Sequence, residues 1–263
     1  MRKKILNILP NSWKLNIQRF YRSNRQNMQY WCSKDGLVSR NRLQSFRNRH
    51  LGQRCFIIGN GPSLKQMDLS PLRDQFTFGL NRIYLLFPKM GFSTSYLVSI
   101  NKLVIQQFHK DFKNLQLPKF LTWYSRDYIP LDRNMMYINA HPGLKFSCFP
   151  DKYIYGGPTV TFTAMQLAYY MGFSQVILIG VDHNFKTKGK PHQKVLSKGD
   201  DVNHFSPEYF GKGTEWHLPD LEQSEYAYSL ANRIFKQDGR SIVDATEGGK
   251  LTVFPKVKYD TLF

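Results

Sequence analysis

Cysteine is scarce: Cys32, Cys55 and Cys148 are the only three in 263 residues. They stand too far apart for a zinc-ligand spacing or a disulfide framework, a usage that suits a reducing compartment. Long apolar runs are missing too, and no stretch approaches the ~20 residues a bilayer-spanning helix needs. The opening MRKKILNILPNSW starts basic, but its apolar stretch is cut short at Pro10, which argues against a cleavable signal. There is no internal repeat, no low-complexity tract, no G-x-G-x-x-G and no G-x-x-x-x-G-K-[ST], so the chain is neither a standard dinucleotide binder nor a P-loop protein. No H-x-x-H or H-E-x-x-H pair argues for zinc. Acids are nearly absent from the first 54 residues, which hold thirteen Lys/Arg and the single acid Asp35, against 24 and 18 in the remainder. The formal charge of +18 is therefore mostly an N-terminal property. Such a patch favours polyanions: anionic lipid, a phosphorylated substrate or nucleic acid.

What is present divides at Arg54. Residues 1–53 carry Ile5, Leu6, Leu9, Trp13, Ile17, Phe20 and Tyr21 among basic residues, a spacing that suits one or two amphipathic helices. A basic segment of this kind either caps the main domain or lies on an anionic membrane surface. The expected location is cytoplasmic, with a peripheral place on the inner face of the membrane.

Residues 54–263 alternate strand and helix signals. CFII (55–58), FTFGLN (76–81), TSYLVSIN (94–101), KFLTWYS (119–125), QVILIGVDHNF (175–185) and SIVDA (241–245) read as strands. Between 63 and 72 the spacing predicts a loop and short helix, with Ser70 as an N-cap before Pro71. Val160, Ala164, Leu167, Ala168 and Met171 recur at helical spacing, and Glu222 to Lys236 forms a further helix. Residues 186–218 are polar and without period, which predicts a lid or acceptor loop. Apolar strands without alternation, separated by helices, indicate an α/β, Rossmann-like, GT-A-like single domain with a mostly parallel sheet.

Ligands of such sheets bind beyond the carboxyl ends of the strands. There the sequence puts Gly59-Asn60-Gly61 with Ser63, then Asn81, Asn101 and Asp182. Amides both donate and accept without charge, as a base or ribose requires, and glycines let a ligand approach the backbone. Alone, the GNG turn is equally a structural one; repeated strand-end amides favour a nucleotide site. Gly156 and Gly157 precede a helix N-terminus, either a second place for an anion or a close helix–strand approach. Asp182 either caps its loop or holds Mg²⁺. The remaining chemical candidates are histidines: His183, followed by Asn184, and His192, His204 and His217, any of which titrates near working pH.

IIGNGPSLKQMDLSPL, FGLNRIY, GGPTVTFTAMQLAYYMGFSQVILIGVDHNF and IVDATEGGKLTVFPKV occur in this order. Together they resemble the domain shared by archaeal-type 6-hydroxymethylpterin diphosphokinase-like proteins and motility-associated glycosyltransferases, over roughly residues 54–260. The first and third blocks also resemble the bacterial sialyltransferases of glycosyltransferase family 42. That second resemblance implies Asn60, Asn81 and Asn101 as contacts to the CMP part of a CMP-sugar, with Gly156-Gly157 near the donor. It also implies a histidine general base: His217 in EWHLPD by position, with His204 as rival. Where those enzymes place a phosphate-contacting tyrosine, this chain has His183, Asn184 and Phe185, so the leaving-group contact falls to His183 and Asn184.

Two enzymatic readings follow. In the first, a CMP-activated acidic sugar, sialic acid or a related nonulosonate, is transferred to a glycan acceptor with no cofactor required. In the second, suggested by TEGGKL, ATP and Mg²⁺ pyrophosphorylate a hydroxymethyl pterin, with Asp182 on the metal and Arg82 on phosphate. A non-enzymatic nucleotide- or nucleic-acid-binding module is the third, but no nucleic-acid motif supports it and no nucleic-acid partner is expected.

Overall fold

The computed structural model describes residues 24–263. The amphipathic spacing read between Ile5 and Tyr21 lies outside the described residues. Seven strands form one parallel sheet: β1 (Arg54–Ile58), β2 (Phe76–Leu80), β3 (Tyr96–Ser99), β4 (Lys119–Thr122), β5 (Met135–Ile138), β8 (Gln175–Ile179) and β11 (Ser241–Asp244). Their order is β11-β8-β1-β2-β3-β4-β5, and every pairing is parallel. The α/β, Rossmann-like architecture with helices flanking a parallel sheet is as the sequence indicates. Two small pairs complete the strands: β6 (Ala140–His141) with β7 (Ile154–Tyr155), and the antiparallel β9 (Lys194–Leu196) with β10 (Glu215–His217).

The sheet is apolar on both faces because helices or loops cover both. Cys55 and Ile57 of β1 point into one core layer, and Phe56 and Ile58 point into the other. The first layer is closed by α1 (Lys34–Gln44), α4 (Val160–Tyr170) and α5 (Leu221–Gln237). The second takes the short α2 (Phe87–Met90), α3 (Lys102–Asn114) and the segment that follows β8. Tyr30, Leu43 and Phe46 are buried in these layers, so the core draws on residues that precede Arg54. α1 begins at the Ser33 cap, whose side chain accepts the Gly36 N–H.

Several local expectations shift. Strands stop short of their expected ends, by one residue at Leu80, two at Ser99, three at Thr122 and six at Ile179, before Asn81, Asn101, a 3₁₀ turn over Trp123–Asp127 and Gly180. Ser70 is not the cap before Pro71: its N–H and hydroxyl both donate to the Asp68 carboxylate, which makes the turn. The aperiodic stretch 186–218 is ordered around the β9–β10 hairpin. It buries Phe205, Tyr209, Phe210, Trp216 and Leu218 in the second layer.

Because β1 is flanked by β2 and β8, the chain reverses its direction of travel across the sheet there. The carboxyl ends of β1 and β8 therefore diverge into a crevice, the switch point where open α/β sheets hold ligands. The two exits are laced together: Gly59 N–H donates to Ile179 O and Gly61 N–H to Gly180 O, both at 2.8 Å. A Cβ on Gly59 would stand 2.2 Å from the Gly180 carbonyl oxygen, and one on Gly61 would stand 1.7 Å from Asp182 Oδ2. The space these glycines leave is thus filled by the exit of β8. Gly59→Ala should cost about 3 kcal/mol, at the severe end for overpacking against backbone. Denaturant unfolding measures it; a loss under about 0.5 kcal/mol would contradict this packing.

Candidate functional site

A cavity of about 630 Å³ opens at the switch point. One part of its wall is built from the ends of β1, β2, β3 and β8: Gly59, Asn60, Gly61, Asn81, Asn101 and Asp182 all line it. Opposite stand Gly157 to Thr161 at the start of α4, and the segment after β8 brings His204, Tyr209, Trp216 and His217.

The three asparagines share a pattern. Asn101 caps α3, its Oδ1 accepting from Leu103 and Val104 N–H at 2.9 and 3.3 Å. Asn81 sits in the left-handed region at φ 47°, and its Oδ1 accepts the Ser99 hydroxyl. Both spend the carbonyl on the fold; the Asn81 side chain also hydrogen-bonds the buried Tyr209 hydroxyl, while Asn101 keeps its Nδ2 group to donate. Asn60 differs: its main-chain carbonyl accepts the Phe205 N–H, tying the turn to the covering segment. Its side-chain Oδ1 is buried without a partner among the described residues. A buried orphan acceptor costs about 1–3 kcal/mol unless something donates to it.

Asp182 is already engaged. Its Oδ1 accepts the Ser63 N–H at 3.0 Å and its Oδ2 the Ser63 hydroxyl at 2.7 Å. Burial pushes its pKa up against these donors. Its main-chain carbonyl accepts Lys250 N–H, so TEGGKL folds back behind the site. Ser63 acts through this clamp rather than in the lining. Among the described residues no three His, Cys, Asp or Glu side chains gather where a cation would sit. Arg82 is likewise spoken for: Nη1 donates to the carbonyls of Glu208 and Tyr209, and the guanidinium lies 3.6 Å from the Phe108 ring centroid. It anchors the covering segment and does not line the cavity.

The glycine pair divides. Gly157, at φ 59°, lines the cavity, and a Cβ there would meet the Phe162 ring at 2.7 Å. Gly156 lies outside the lining, its N–H donating to His141 O. The first turn of a helix carries N–H groups with no intrahelical partner. Thr159 Oγ1 takes that of Thr161, and the remaining positive end of the dipole faces the cavity.

The histidines separate by partner. His183, in the left-handed region at φ 53°, is turned to α5, with Nε2 2.8 Å from Glu225 Oε1. Asn184 lines the cavity and is exposed. His192 pairs at 3.3 Å with Asp220, whose Oδ1 also caps α5. His217 is exposed on β10, and burial with the nearby Lys194 and His192 charges lowers its pKa. Of these four, His204 is the one buried together with its carboxylate: Nδ1 is 2.7 Å from Asp201 Oδ2, with side-chain exposures of 11% and 2%. The ring stacks on Tyr209 at 4.0 Å between centroids. Burial works against the Asp201 charge, but His204 and the N–H groups of Asn203 and Phe210 outweigh it and hold the carboxyl below its usual range. An ionised Asp201 can only accept, so Nδ1 carries the proton toward it and any lone pair offered to a substrate is on Nε2. Nothing in the sequence flagged Asp201; the D-x-x-H spacing at 201–204 was the available signal.

Residues 26–188 match the family described as 6-hydroxymethylpterin diphosphokinase MptE-like. No curated protein matches the chain. Among solved structures it is similar to the MAf glycosyltransferase of Magnetospirillum magneticum AMB-1, with TM-score 0.52 and 16% identity. That match covers 86% of this chain and 38% of the other, so the chain spans well under half of that protein. A mammalian sialyltransferase matches with TM-score 0.41 and 13% identity over 88% of this chain and 86% of its own.

The depressed Asp201 pKa fixes a pH dependence. An unfolded Asp titrates near ~3.9; the folded group titrates lower, so its stabilisation is whole above ~3.9 and drains as pH falls through the folded value. Asp201→Asn should therefore destabilise the segment by about 2 kcal/mol at pH 7. Its deficit against the parent should close as pH approaches 2. Proteolysis of the 186–218 segment as a function of pH reads this, and a pH-independent difference would contradict it.

Proposed function

The chain belongs to the MptE-like family of 6-hydroxymethylpterin diphosphokinase-like proteins, and on that premise we propose that it is a nucleotide-dependent transferase, specifically a glycosyltransferase that uses a CMP-activated acidic sugar. The observation that carries this is one cavity lined both by the strand-end amides and by His204, which Asp201 backs from behind. The asparagine Nδ2 groups and the α4 N-terminus hold the nucleotide and its phosphate. His204 Nε2 takes the proton of an acceptor hydroxyl, and Asp201 keeps the ring's tautomer and carries the imidazolium that forms. The acceptor oxygen forms its bond to the sugar's anomeric carbon as the bond to phosphate breaks, and the electron pair leaves with the nucleoside monophosphate. His217, first by sequence position, is the second choice, because no carboxylate orients it.

Charge supports the reading. Lys102 is the only Lys or Arg among the described residues lining the cavity. A triphosphate would bring about four negative charges that one lysine and a helix end compensate poorly, whereas a CMP-activated acidic sugar brings only its phosphodiester and its carboxylate. The fold shared with the MAf glycosyltransferase is in keeping with this. The family's name favours the second reading, pyrophosphoryl transfer from ATP to a pterin; the match ends at residue 188, before His204.

A thermal-shift panel of CMP, CTP, UDP, GDP and ATP, with and without Mg²⁺, separates the two. CMP should raise Tm irrespective of Mg²⁺; a Mg²⁺-dependent shift with ATP and none with CMP would install the diphosphokinase reading instead. Within the transferase reading, His204→Ala should lower kcat by about 10²–10⁴-fold, the usual share of a general base, with CMP affinity retained. His217→Ala should cost less than about tenfold; the opposite ranking in steady-state kinetics would move the base to β10.

A further inference from the structure

A second cavity, of about 310 Å³, lies past the carboxyl ends of β4 and β5 and adjoins the first at Ile100 and Lys102. Thr122, Trp123 and Tyr124 come from the exit of β4, and Asn139 and His141 from the turn after β5. Gln26 and Asn27, in the helical residues 24–32, close the remaining side. None of these belongs to the nucleotide wall described above.

The chemistry of the two cavities differs. Among the described residues the second is lined by amides, a hydroxyl and aromatic rings, with no carboxylate and with Lys102 as its one Lys or Arg. Asn27 Oδ1 accepts from Asn139 Nδ2 at 2.7 Å and from Trp31 Nε1 at 3.1 Å, which fixes the amide and leaves its Nδ2 to donate. Trp123 is 5% exposed, and its indole N–H is buried with no hydrogen-bond partner among the described residues. A buried donor in that state is a standing demand for an acceptor. The Lys102 ammonium lies 4.7 Å from the Tyr124 ring centroid, and no carboxylate pairs with it among the described residues. Fixed amides that donate and accept match vicinal hydroxyls, and an aromatic ring offers a face for sugar C–H groups. The volume is at the lower end for small-molecule sites, suited to about one or two sugar rings, while the larger cavity has room for a whole nucleotide sugar.

We infer that the second cavity is the acceptor subsite and that it takes a hydroxyl-rich saccharide bearing a carboxylate, placed against Lys102 at the junction with the donor cavity. The inference rests on the donor reading of the first cavity. Lys102 opens α3 directly after Asn101, so the acceptor's charge and the nucleotide's amide contact are set by adjacent residues. A saccharide held there presents its outward hydroxyl along the shared edge toward the donor.

The full chain is titrated, with and without CMP, with glucuronate-, galacturonate- and sialate-terminated oligosaccharides and their neutral counterparts, using calorimetry and saturation-transfer NMR. Acidic members should bind at least tenfold tighter than neutral ones. Tyr124→Ala should weaken them at least tenfold while CMP affinity shifts less than twofold. Lys102→Gln should erase the preference for acid over neutral, and Tyr124→Phe, which keeps the ring, should retain binding. If no oligosaccharide binds the parent protein, or if Tyr124→Ala weakens CMP as much as saccharide, the acceptor assignment is overturned. Saccharide binding as expected without any nucleotide binding would uphold the second cavity as a saccharide site and remove the donor reading of the first.

Discussion

Everything at the site depends on how closely the exits of β1 and β8 approach. Parallel neighbours register Ile58 against Ile179, so the next residues, Gly59 and Gly180, meet side by side. Two main-chain hydrogen bonds and the Ser63–Asp182 clamp hold that junction, and no side chain larger than hydrogen fits at 59 or 61. With the junction fixed, Asn60 has one course: its amide faces the cavity and its carbonyl faces outward to Phe205. The turn therefore joins the sheet to the segment that covers it.

That segment is core as well as cover. Phe205, Tyr209, Phe210 and Trp216 are buried in the second layer, and burying a large apolar side chain contributes about 1.5–3 kcal/mol. Arg82 adds hydrogen bonds to two of its carbonyls and stacks on Phe108. Opening it fully would forfeit several such terms together, so His204 is held on a packed element rather than on a swinging flap. This is the setting a general base needs, since a loosely placed base forfeits the gain from proximity. Asp201 contributes to both roles: it orients the imidazole, and it accepts the N–H groups of Asn203 and Phe210 that shape the segment around it.

The sheet was legible in the sequence because its strands are short β-branched or aromatic runs ended by glycine or asparagine, and that grammar holds for β1, β2, β3 and β8. It failed at β5, where Met135-Met136-Tyr137-Ile138 lacks a terminating turn signal and has no distinctive β composition in its methionines. It also failed at α3. Asn101 was read only as a ligand-facing amide, yet the same residue is the N-cap, and Val104, Ile105, Phe108 and Phe112 behind it carry helical spacing. The glycines of the first turn were legible as necessary but not in their purpose. Sequence shows that a Cβ is excluded, not whether a ligand or another strand excludes it. In the covering segment, periodicity carried no signal because its order comes from irregular turns closed by Asp201 and Asn203.

The family match supplies a division that geometry alone would not. Asn60, Asn81, Asn101, Gly157 and Asp182 fall inside residues 26–188, while Asp201, His204 and His217 fall beyond it. A nucleotide wall of strand ends and a helix N-terminus can serve any reaction that leaves a phosphate behind, because it recognises the part of the donor that does not change. What reacts is decided by the element laid over that wall. Here that element brings an imidazole backed by a buried carboxylate, a pair able to take a proton from a hydroxyl, and among the described residues no arginine lines the cavity to neutralise a transferring phosphoryl group. Chemistry at the sugar carbon asks for the first of these and not the second.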